Sequence, residues 1–272
     1  MANDWRVAQV REVEKGLQGR SNIHFFNTDA QGETARSILN IENMIEMDVD
    51  ILIASPRDAK VMTPALDKAH EKGIKVVLLS RRGTSEKYTS FIHPDNEKIA
   101  RHAARFIAGQ LRGKGNILIL QGVPTASTAI IRTNAFLEEM KQYPDLHIVA
   151  IKPANYLRSD AAIVMEEVIG QGLEFDVIYA QSDSMAGGAR MAMEKAGLDP
   201  ADCLIVGIDY IAEAREAIKN KRQSATFTYP TGGRECAEII LDIVQGKDVP
   251  REIILDSVLV TSENVHLVDP VF

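Results

Sequence analysis

The sequence predicts an α/β fold with parallel β-sheets. Short apolar segments rich in β-branched residues alternate with longer segments whose apolar residues recur every three or four positions, along the whole 272-residue chain. Regular alternation of strands and helices is typical of parallel sheets covered by helices. The pattern restarts near Asp95, which indicates two similar lobes.

The stretch 176–210 gives the clearest example of this alternation. The apolar run Val177–Ala180 predicts a strand, and polar residues that can cap a helix follow it. A helix is predicted over 185–196, and the next strand, over 204–208, ends at the polar Asp209. Ligands of open parallel sheets collect where the strands end, so both polar ends are candidate binding positions.

The other elements follow from the same periodicities. In the first lobe, helices are predicted over 5–17, 33–47 and 59–70, and strands over 23–26, 50–54, 76–79 and 91–92. In the rest of the chain, helices are predicted over 97–111, 127–141, 159–169, 211–219 and 232–245, and strands over 116–121, 147–152, 224–228 and within 249–261.

Composition excludes several classes of function. A net charge of −7 argues against a nucleic-acid surface, and no apolar run is long enough to span a membrane. The sequence has no nucleophile elbow, HExxH motif or Gly-rich phosphate loop, and its six His residues are dispersed. We therefore expect no enzyme activity, no cofactor and no metal. Cys203 and Cys236 are expected to be buried thiols.

Several short motifs occur in one order along essentially the whole chain. They are Asn3-Asp4-Trp5-Arg6, Thr28-Asp29-Ala30-Gln31, Ile53-Ala54-Ser55-Pro56, Ile119-Leu120-Gln121-Gly122, Ala180-Gln181-Ser182-Asp183 and Val206-Gly207-Ile208-Asp209. In these motifs the chain resembles the type I periplasmic sugar-binding proteins, the ribose-binding-protein-like family. The resemblance implies two Rossmann-like lobes with parallel sheets, joined by three crossovers, and a ligand cleft between the lobes.

The resemblance also implies where the lobes begin and end. The N-terminal lobe would comprise 1–94 plus 230–256, and the C-terminal lobe 95–229 plus 257–272. Members of the family begin with a strand before the first helix, whereas this sequence starts at the helix. We therefore expect that roughly five to six residues of a central strand are missing, through truncation or a start assigned too late.

The family's ligand-binding positions map onto residues in both lobes: Asn3, Trp5, Arg6, Ser55, Ser80, Arg81, Arg132, Tyr156, Ser182, Asp209 and Tyr229. An aromatic face such as Trp5 would stack on a sugar ring, while Asp209 and Arg132 would hydrogen-bond its hydroxyls. Arg82 is expected to be a surface charge. The serines stand where sugar binders often carry Asn or Asp, which favours a sugar acid or polyol derivative over ribose.

The function implied is binding of a small polar sugar-like ligand by hinge closure, for uptake through an ABC-type membrane permease. An extracytoplasmic sensor domain of a membrane signalling protein would carry the same site and stays open as an alternative. The effector domain of a LacI-type repressor shares the fold but would need an upstream DNA-binding segment. No signal peptide is recognisable, so the sequence indicates either a cytosolic protein or an exported one lacking its signal; the resemblance favours a periplasmic or extracytoplasmic location.

Overall fold

The computed structural model describes residues 4–272, which divide into two compact units. The first unit comprises Met1–Pro94, Thr125–Ser127 and Thr231–Leu255, and the second comprises Asp95–Pro124, Thr128–Pro230 and Asp256–Phe272. Each unit has its own β-sheet. The chain enters and leaves each unit more than once, so both are built from segments distant in sequence.

Helices and strands alternate along the chain. In order they are α1 (Asp4–Leu17), α2 (Thr34–Glu46), β1 (Ile51–Ala54), α3 (Ala59–Glu71), β2 (Lys75–Leu79), β3 (Ser90–Pro94), α4 (Asn96–Gln110), β4 (Gly115–Gln121), α5 (Ser127–Met140), β5 (Leu146–Pro153), α6 (Arg158–Gly170), β6 (Val177–Ala180), α7 (Asp183–Lys195), a short 3-10 helix (Pro200–Asp202), β7 (Leu204–Val206), α8 (Ala212–Lys219), β8 (Ala225–Phe227), α9 (Gly233–Val244), β9 (Glu252–Leu255) and β10 (Leu259–Thr261).

The sheet of the first unit has the strand order β1-β2-β3-β9, and all its pairings are parallel. Alternate side chains of a strand point to opposite faces, which explains why the sheet is covered on both sides. Leu52 and Val76 pack on one face against α2 and α3. Val77 and Leu79 pack on the other face against α1 and α9.

The sheet of the second unit has the order β10-β8-β7-β6-β4-β5. Its pairings are parallel except that β10 runs antiparallel to β8. The side chains of Ile117, Leu118, Ile119 and Leu120 in β4 are fully buried. Continuous burial of this kind is typical of a central parallel strand with helices on both faces. Strand β4 is therefore an interior strand of this sheet, paired on both sides and covered on both faces.

The predicted α/β fold with parallel sheets is confirmed, and most predicted elements are present with ends shifted by a few residues. The predicted strand over 23–26 is wrong, because these residues belong to no strand or helix. Ile23 and Phe25 are only partly buried, although they pack on the same apolar cluster as β1. A strand needs a hydrogen-bonding neighbour, and the described residues supply none to this segment.

Candidate functional site

Arg132 on α5 is the most enclosed charged group among the predicted site residues. Its side chain is 2% exposed, and it lies in the second unit. Its Nε donates to Asn96 Oδ1 at 2.8 Å, and its Nη1 donates to the backbone carbonyl of Gln181 at 2.6 Å. The guanidinium is thus held in place by neutral acceptors, as a buried charge requires.

Two tyrosines flank this guanidinium. The Arg132 Cζ lies 4.5 Å from the centroid of the Tyr229 ring and 6.0 Å from that of Tyr156. The Tyr156 hydroxyl hydrogen-bonds with Thr128 Oγ1 at 2.9 Å, and its ring lies so close to Gly122 that any Cβ there would overlap it. The Tyr156 ring therefore has a fixed position, and both rings present a face to the cation.

Asp209 follows β7 in the same unit and has an unusual backbone. Its φ angle is 122°, a region that L residues rarely adopt, and its amide donates to the carbonyl of Phe227 at 2.9 Å. Burial opposes the charged form of Arg132, but the negative potential of Tyr229, Tyr156 and Asp209 outweighs burial and raises the pKa of the guanidinium. The second unit therefore combines a buried cation with a nearby carboxylate.

Ser182 lies at the start of α7 and is 1% exposed. Its Oγ accepts a hydrogen bond from the Met185 amide at 3.3 Å, which makes it the N-cap of that helix. The structure thus gives the Ser182 oxygen a role in beginning α7. It also explains why α7 begins at Asp183 and not at the predicted residue 185.

A second group of predicted site residues lies in the first unit. The Arg6 guanidinium lies 5.1 Å from the centroid of the Trp5 ring, donates to Gln9 Oε1, and reaches Ser80 Oγ at 3.4 Å. Ser55 Oγ lies 3.4 Å from Ser80 Oγ. The structure therefore brings these residues together at the start of α1 and at the ends of β1 and β2.

The remaining predicted residues of this unit differ in position. Arg81 is partly buried and lies two residues after the end of β2. The neighbouring Arg82 reaches Glu86 at 3.6 Å, and its side chain is 40% exposed. Asn3 lies outside the described residues. Arg82 therefore pairs with a surface carboxylate, and we do not include it among the proposed ligand-binding residues.

The structure adds residues that the sequence did not single out. Gln9, 2% exposed, donates from Nε2 to the carbonyl of Thr231 at 2.5 Å. Gln181 accepts from the Gly122 amide at 3.0 Å and donates to Thr133 Oγ1 at 2.8 Å. Gln9 accepts from Arg6, while Asn96 and Gln181 accept from Arg132, so these residues hold two of the proposed ligand-binding arginines in place. Their only sequence signal is that Gln181 lies within a family motif.

Two α/β units with parallel sheets, each presenting polar and aromatic side chains near strand or helix ends, define a small-molecule binding protein of the two-lobed class. The model of the family "Periplasmic binding protein domain" matches residues 1–248, so the chain belongs to that family. The resemblance inferred from the short motifs is thereby confirmed. By this membership the chain is a binding protein and not an enzyme, as the sequence predicted.

Individual relatives cover most of the chain. The ribose import binding protein of Bacillus subtilis (strain 168) is 29% identical, over 92% of this chain and 81% of its own length. The xylitol-binding protein of Mycolicibacterium smegmatis is 27% identical, over 91% and 71%. The solved fructose-binding periplasmic domain of a hybrid two-component system has a TM-score of 0.92 and 29% identity, and the match covers 97% of this chain and 89% of that one.

Two further features concern metals and membranes. Within residues 4–272, no three His, Cys, Asp or Glu side chains are grouped so that they could hold a metal ion. None of the helices in that range combines the length and apolar character needed to cross a membrane. Family members themselves are extracytoplasmic.

Proposed function

We propose that this protein binds a small polar sugar-like ligand, namely a sugar, sugar acid or polyol, without chemically changing it. The observation that carries the proposal is the buried Arg132 held beside the Tyr229 ring, with Asp209 in the same unit. A fixed donor, a carboxylate acceptor and aromatic faces match the alternating polar and apolar surfaces of a sugar ring. Relatives named for ribose, xylitol and fructose support the same ligand class.

The proposed ligand contacts come from both units. In the first they are Asn3, Trp5, Arg6, Ser55, Ser80 and Arg81, and in the second they are Arg132, Tyr156, Ser182, Asp209 and Tyr229. Three arginines and one carboxylate among them favour a ligand more electronegative than ribose, such as a sugar acid or a polyol derivative. A ligand that touches both predicted lobes, 1–94 plus 230–256 and 95–229 plus 257–272, would favour their closed arrangement.

The physiological role we propose is capture of the ligand outside the cytoplasm and its delivery to an ABC-type permease. This role is supported by the Bacillus subtilis relative, which is named as an import binding protein. The second candidate is the ligand-sensing domain of a membrane signalling protein. It is favoured by the similarity to the periplasmic domain of a hybrid two-component system. Permease genes beside this gene would favour import, and a fused or adjacent kinase would favour sensing.

A ligand panel tests the binding function. Calorimetric titration with D-ribose, D-fructose, xylitol, myo-inositol, D-gluconate and D-galacturonate should give saturable heat with at least one compound. At a hundredfold excess over Kd, that compound should add about 2.7 kcal/mol of stability and raise Tm by about 5–10 °C. It should also reduce the radius of gyration measured by solution scattering.

Two variants serve as comparisons in this experiment. Arg132→Ala should abolish or greatly weaken the response, whereas Arg82→Ala should bind like the parent protein. Absence of heat and of any Tm change with every compound would contradict the proposed ligand class. A response that survives Arg132→Ala would leave the ligand class standing and show that the proposed site is wrong.

A further inference from the structure

Asp183 is a fully buried carboxylate that the proposed ligand contacts do not include. It is the first residue of α7, three residues after the end of β6, and its exposed fraction is 0%. Burying a carboxylate is costly unless hydrogen bonds replace its water. Where these hydrogen bonds come from therefore indicates what Asp183 does in the fold.

Three donors converge on this carboxylate, and none belongs to α7. Gln223 Nε2 donates to Oδ1 at 2.7 Å, while Thr226 Oγ1 at 2.8 Å and the Tyr210 amide at 2.7 Å donate to Oδ2. The cap of α7 is the neighbouring Ser182. Asp183 therefore joins separate segments of the second unit and does not serve its own helix as a cap.

Two of its bonds bracket the proposed ligand residue Asp209. The Asp183 amide donates to the carbonyl of Ile208 at 2.6 Å, and its carboxylate accepts from the amide of Tyr210. Asp209 is thus held from the residue before it and from the residue after it.

The clamped segment has a strained backbone. Asp209 has φ 122° and Tyr210 has φ 56°, both in the region that L residues rarely adopt. Such residues keep this conformation only where surrounding interactions impose it. The bonds from Asp183 to both sides of Asp209 supply such interactions, so they help to set the direction of the Asp209 carboxylate.

The sequence makes room for this clamp at Gly207. A Cβ at that position would overlap Asp183 Oδ1 and crowd Gln223 Nε2. A glycine at the end of β7 thus lets the carboxylate approach the strand. The requirement is independent of the hydrogen bonds and indicates the same fixed position for Asp183.

The charge of Asp183 is balanced indirectly. Arg190 donates to Gln223 Oε1 and also to Glu213 Oε1, the latter at 2.8 Å, and Arg158 pairs with Glu213. Burial raises the pKa of Asp183 to about 6, against the opposing effects of its hydrogen bonds and of Arg190. The three groups that hydrogen-bond to it are an N–H of Gln223, the hydroxyl of Thr226 and the Tyr210 amide, all of which can donate to an ionised carboxylate.

We propose that Asp183 is a positioning residue for ligand binding: it fixes the strained Asp209–Tyr210 turn and so aims the Asp209 carboxylate. This inference rests on the proposed function, because it assumes that Asp209 contacts the ligand. Asp183 itself would not touch the ligand. Its loss should therefore weaken binding only while Asp209 is present to be aimed.

A double-mutant comparison tests this dependence. The probe is whichever of D-ribose, D-fructose, xylitol and myo-inositol binds the parent protein. Asp183→Asn offers one acceptor oxygen where three donors converge, and we expect about tenfold weaker binding. In an Asp209→Asn background the same change should alter Kd by less than about twofold, because coupled residues are not additive.

Asp176→Asn is the matched control. Asp176 precedes β6 as Asp183 follows it, and its carboxylate likewise accepts a backbone amide, that of Asn116 at 2.7 Å. It lies at the amino end of the strand, away from Asp209, so its loss should leave Kd within about twofold. Independent tenfold losses from Asp183→Asn in both backgrounds would overturn the positioning role.

Amide hydrogen exchange keeps the test independent of any ligand. Exchange at Tyr210 should accelerate about tenfold or more in Asp183→Ala or Asp183→Asn and stay unchanged in Asp176→Asn. Unchanged Tyr210 exchange in both Asp183 variants would overturn the proposal, whether or not a probe binds. If no probe binds the parent protein but Tyr210 exchange accelerates, the clamp on the turn stands and the proposed ligand class fails.

Discussion

The two units share an order of elements but differ at one strand position in their sheets. In the second unit, β4 pairs on one side with β5 and on the other with β6. By chain order, residues 23–26 correspond to β5 and β1 corresponds to β6. In the described part of the first unit, no strand lies between them, and β1 pairs only with β2.

This difference shows how little a strand depends on its own residues. Residues 23–26 are largely apolar, as β5 is, yet among the described residues only β5 has a neighbour to pair with. Ile23 and Phe25 still pack on the apolar cluster of β1, so the hydrophobic contacts of this segment are formed even though its strand pairing is not. Hydrogen bonding between strands is the part that requires a partner from elsewhere.

The candidate ligand-binding residues also differ between the units, because those of the second unit are more buried and more firmly hydrogen-bonded. Arg132 donates to Asn96 and to the Gln181 carbonyl at 2.8 and 2.6 Å and is 2% exposed, whereas Arg6, which donates to Gln9 and reaches Ser80 at 3.4 Å, is only partly buried. The helix that carries Arg132 follows β4, which pairs on both sides, whereas Ser55 follows β1, which among the described residues pairs only with β2. We therefore expect the second unit to supply most of the binding energy.

The largest effect should come from giving β1 a partner. Fusing an apolar strand of roughly five to six residues ahead of α1 should raise the free energy of unfolding by several kcal/mol, because it would pair β1 and residues 23–26. Chemical denaturation measures this. A Gly-Ser segment of equal length is the control, and equal stability of both fusions would mean that no strand is needed there.

The next effect concerns the second unit's charged ligand candidates. Arg132→Ala and Asp209→Ala should each cost about 2–5 kcal/mol of binding, since each leaves a desolvated partner unpaired. This corresponds to tens-fold or weaker binding, at one decade per ~1.4 kcal/mol, in calorimetric titration. If both variants bound like the parent protein, the second unit would not hold the ligand.

The stability of the protein should depend on pH through the buried Asp183 of the second unit. Because the pKa of Asp183 is raised to about 6 from 3.8, the folded protein binds its proton more tightly than the unfolded chain. The resulting stability is present below pH 3.8 and is lost as pH rises through 6. Relative to Asp183→Asn, the parent protein should thus lose stability between pH 4 and 7, on the order of 2–3 kcal/mol.

Denaturation of both proteins across that pH range measures this difference. Burial opposes ionisation of the nearby Glu213, but the ion pairs with Arg158 and Arg190 outweigh this effect and lower the pKa of Glu213. Its own stabilising contribution therefore falls as the solution becomes acidic. That contribution is common to both proteins and largely cancels in the difference. A difference that stays flat with pH would show that Asp183 does not titrate in this range.

The smallest effect should come from the first unit. Trp5→Ala should weaken binding by about 1–2 kcal/mol, or roughly tenfold, through loss of stacking, and should reduce the ligand-induced decrease in the radius of gyration. Calorimetry and solution scattering measure both. Arg82→Ala is the control and should change Kd by less than about twofold. A larger loss from Trp5→Ala than from Arg132→Ala would reverse the ranking of the units.

The sequence by itself determined the fold class, the family and most of the elements. Local patterns suffice for these: β4 reads as a continuous apolar run, and α7 is preceded by a polar segment that contains its cap, Ser182. The site candidates came from short motifs at strand ends. Arg132 and Asp209 could be singled out because the family places ligand groups there, not because their own spacing reveals a site.

Tertiary structure alone decided which residues support the candidate site and which predicted strands find a pairing partner. Gln9 bonds the carbonyl of Thr231, Asp183 bonds the amide of Tyr210, and β4 joins β5 to β6, all across long distances in sequence. No local pattern records such partners. A hydrogen bond is formed only where the fold brings a donor and an acceptor within about 3 Å. For that reason, residues 23–26 lack strand pairing despite a strand's composition, and Asp209 keeps a backbone angle that its own sequence would not favour.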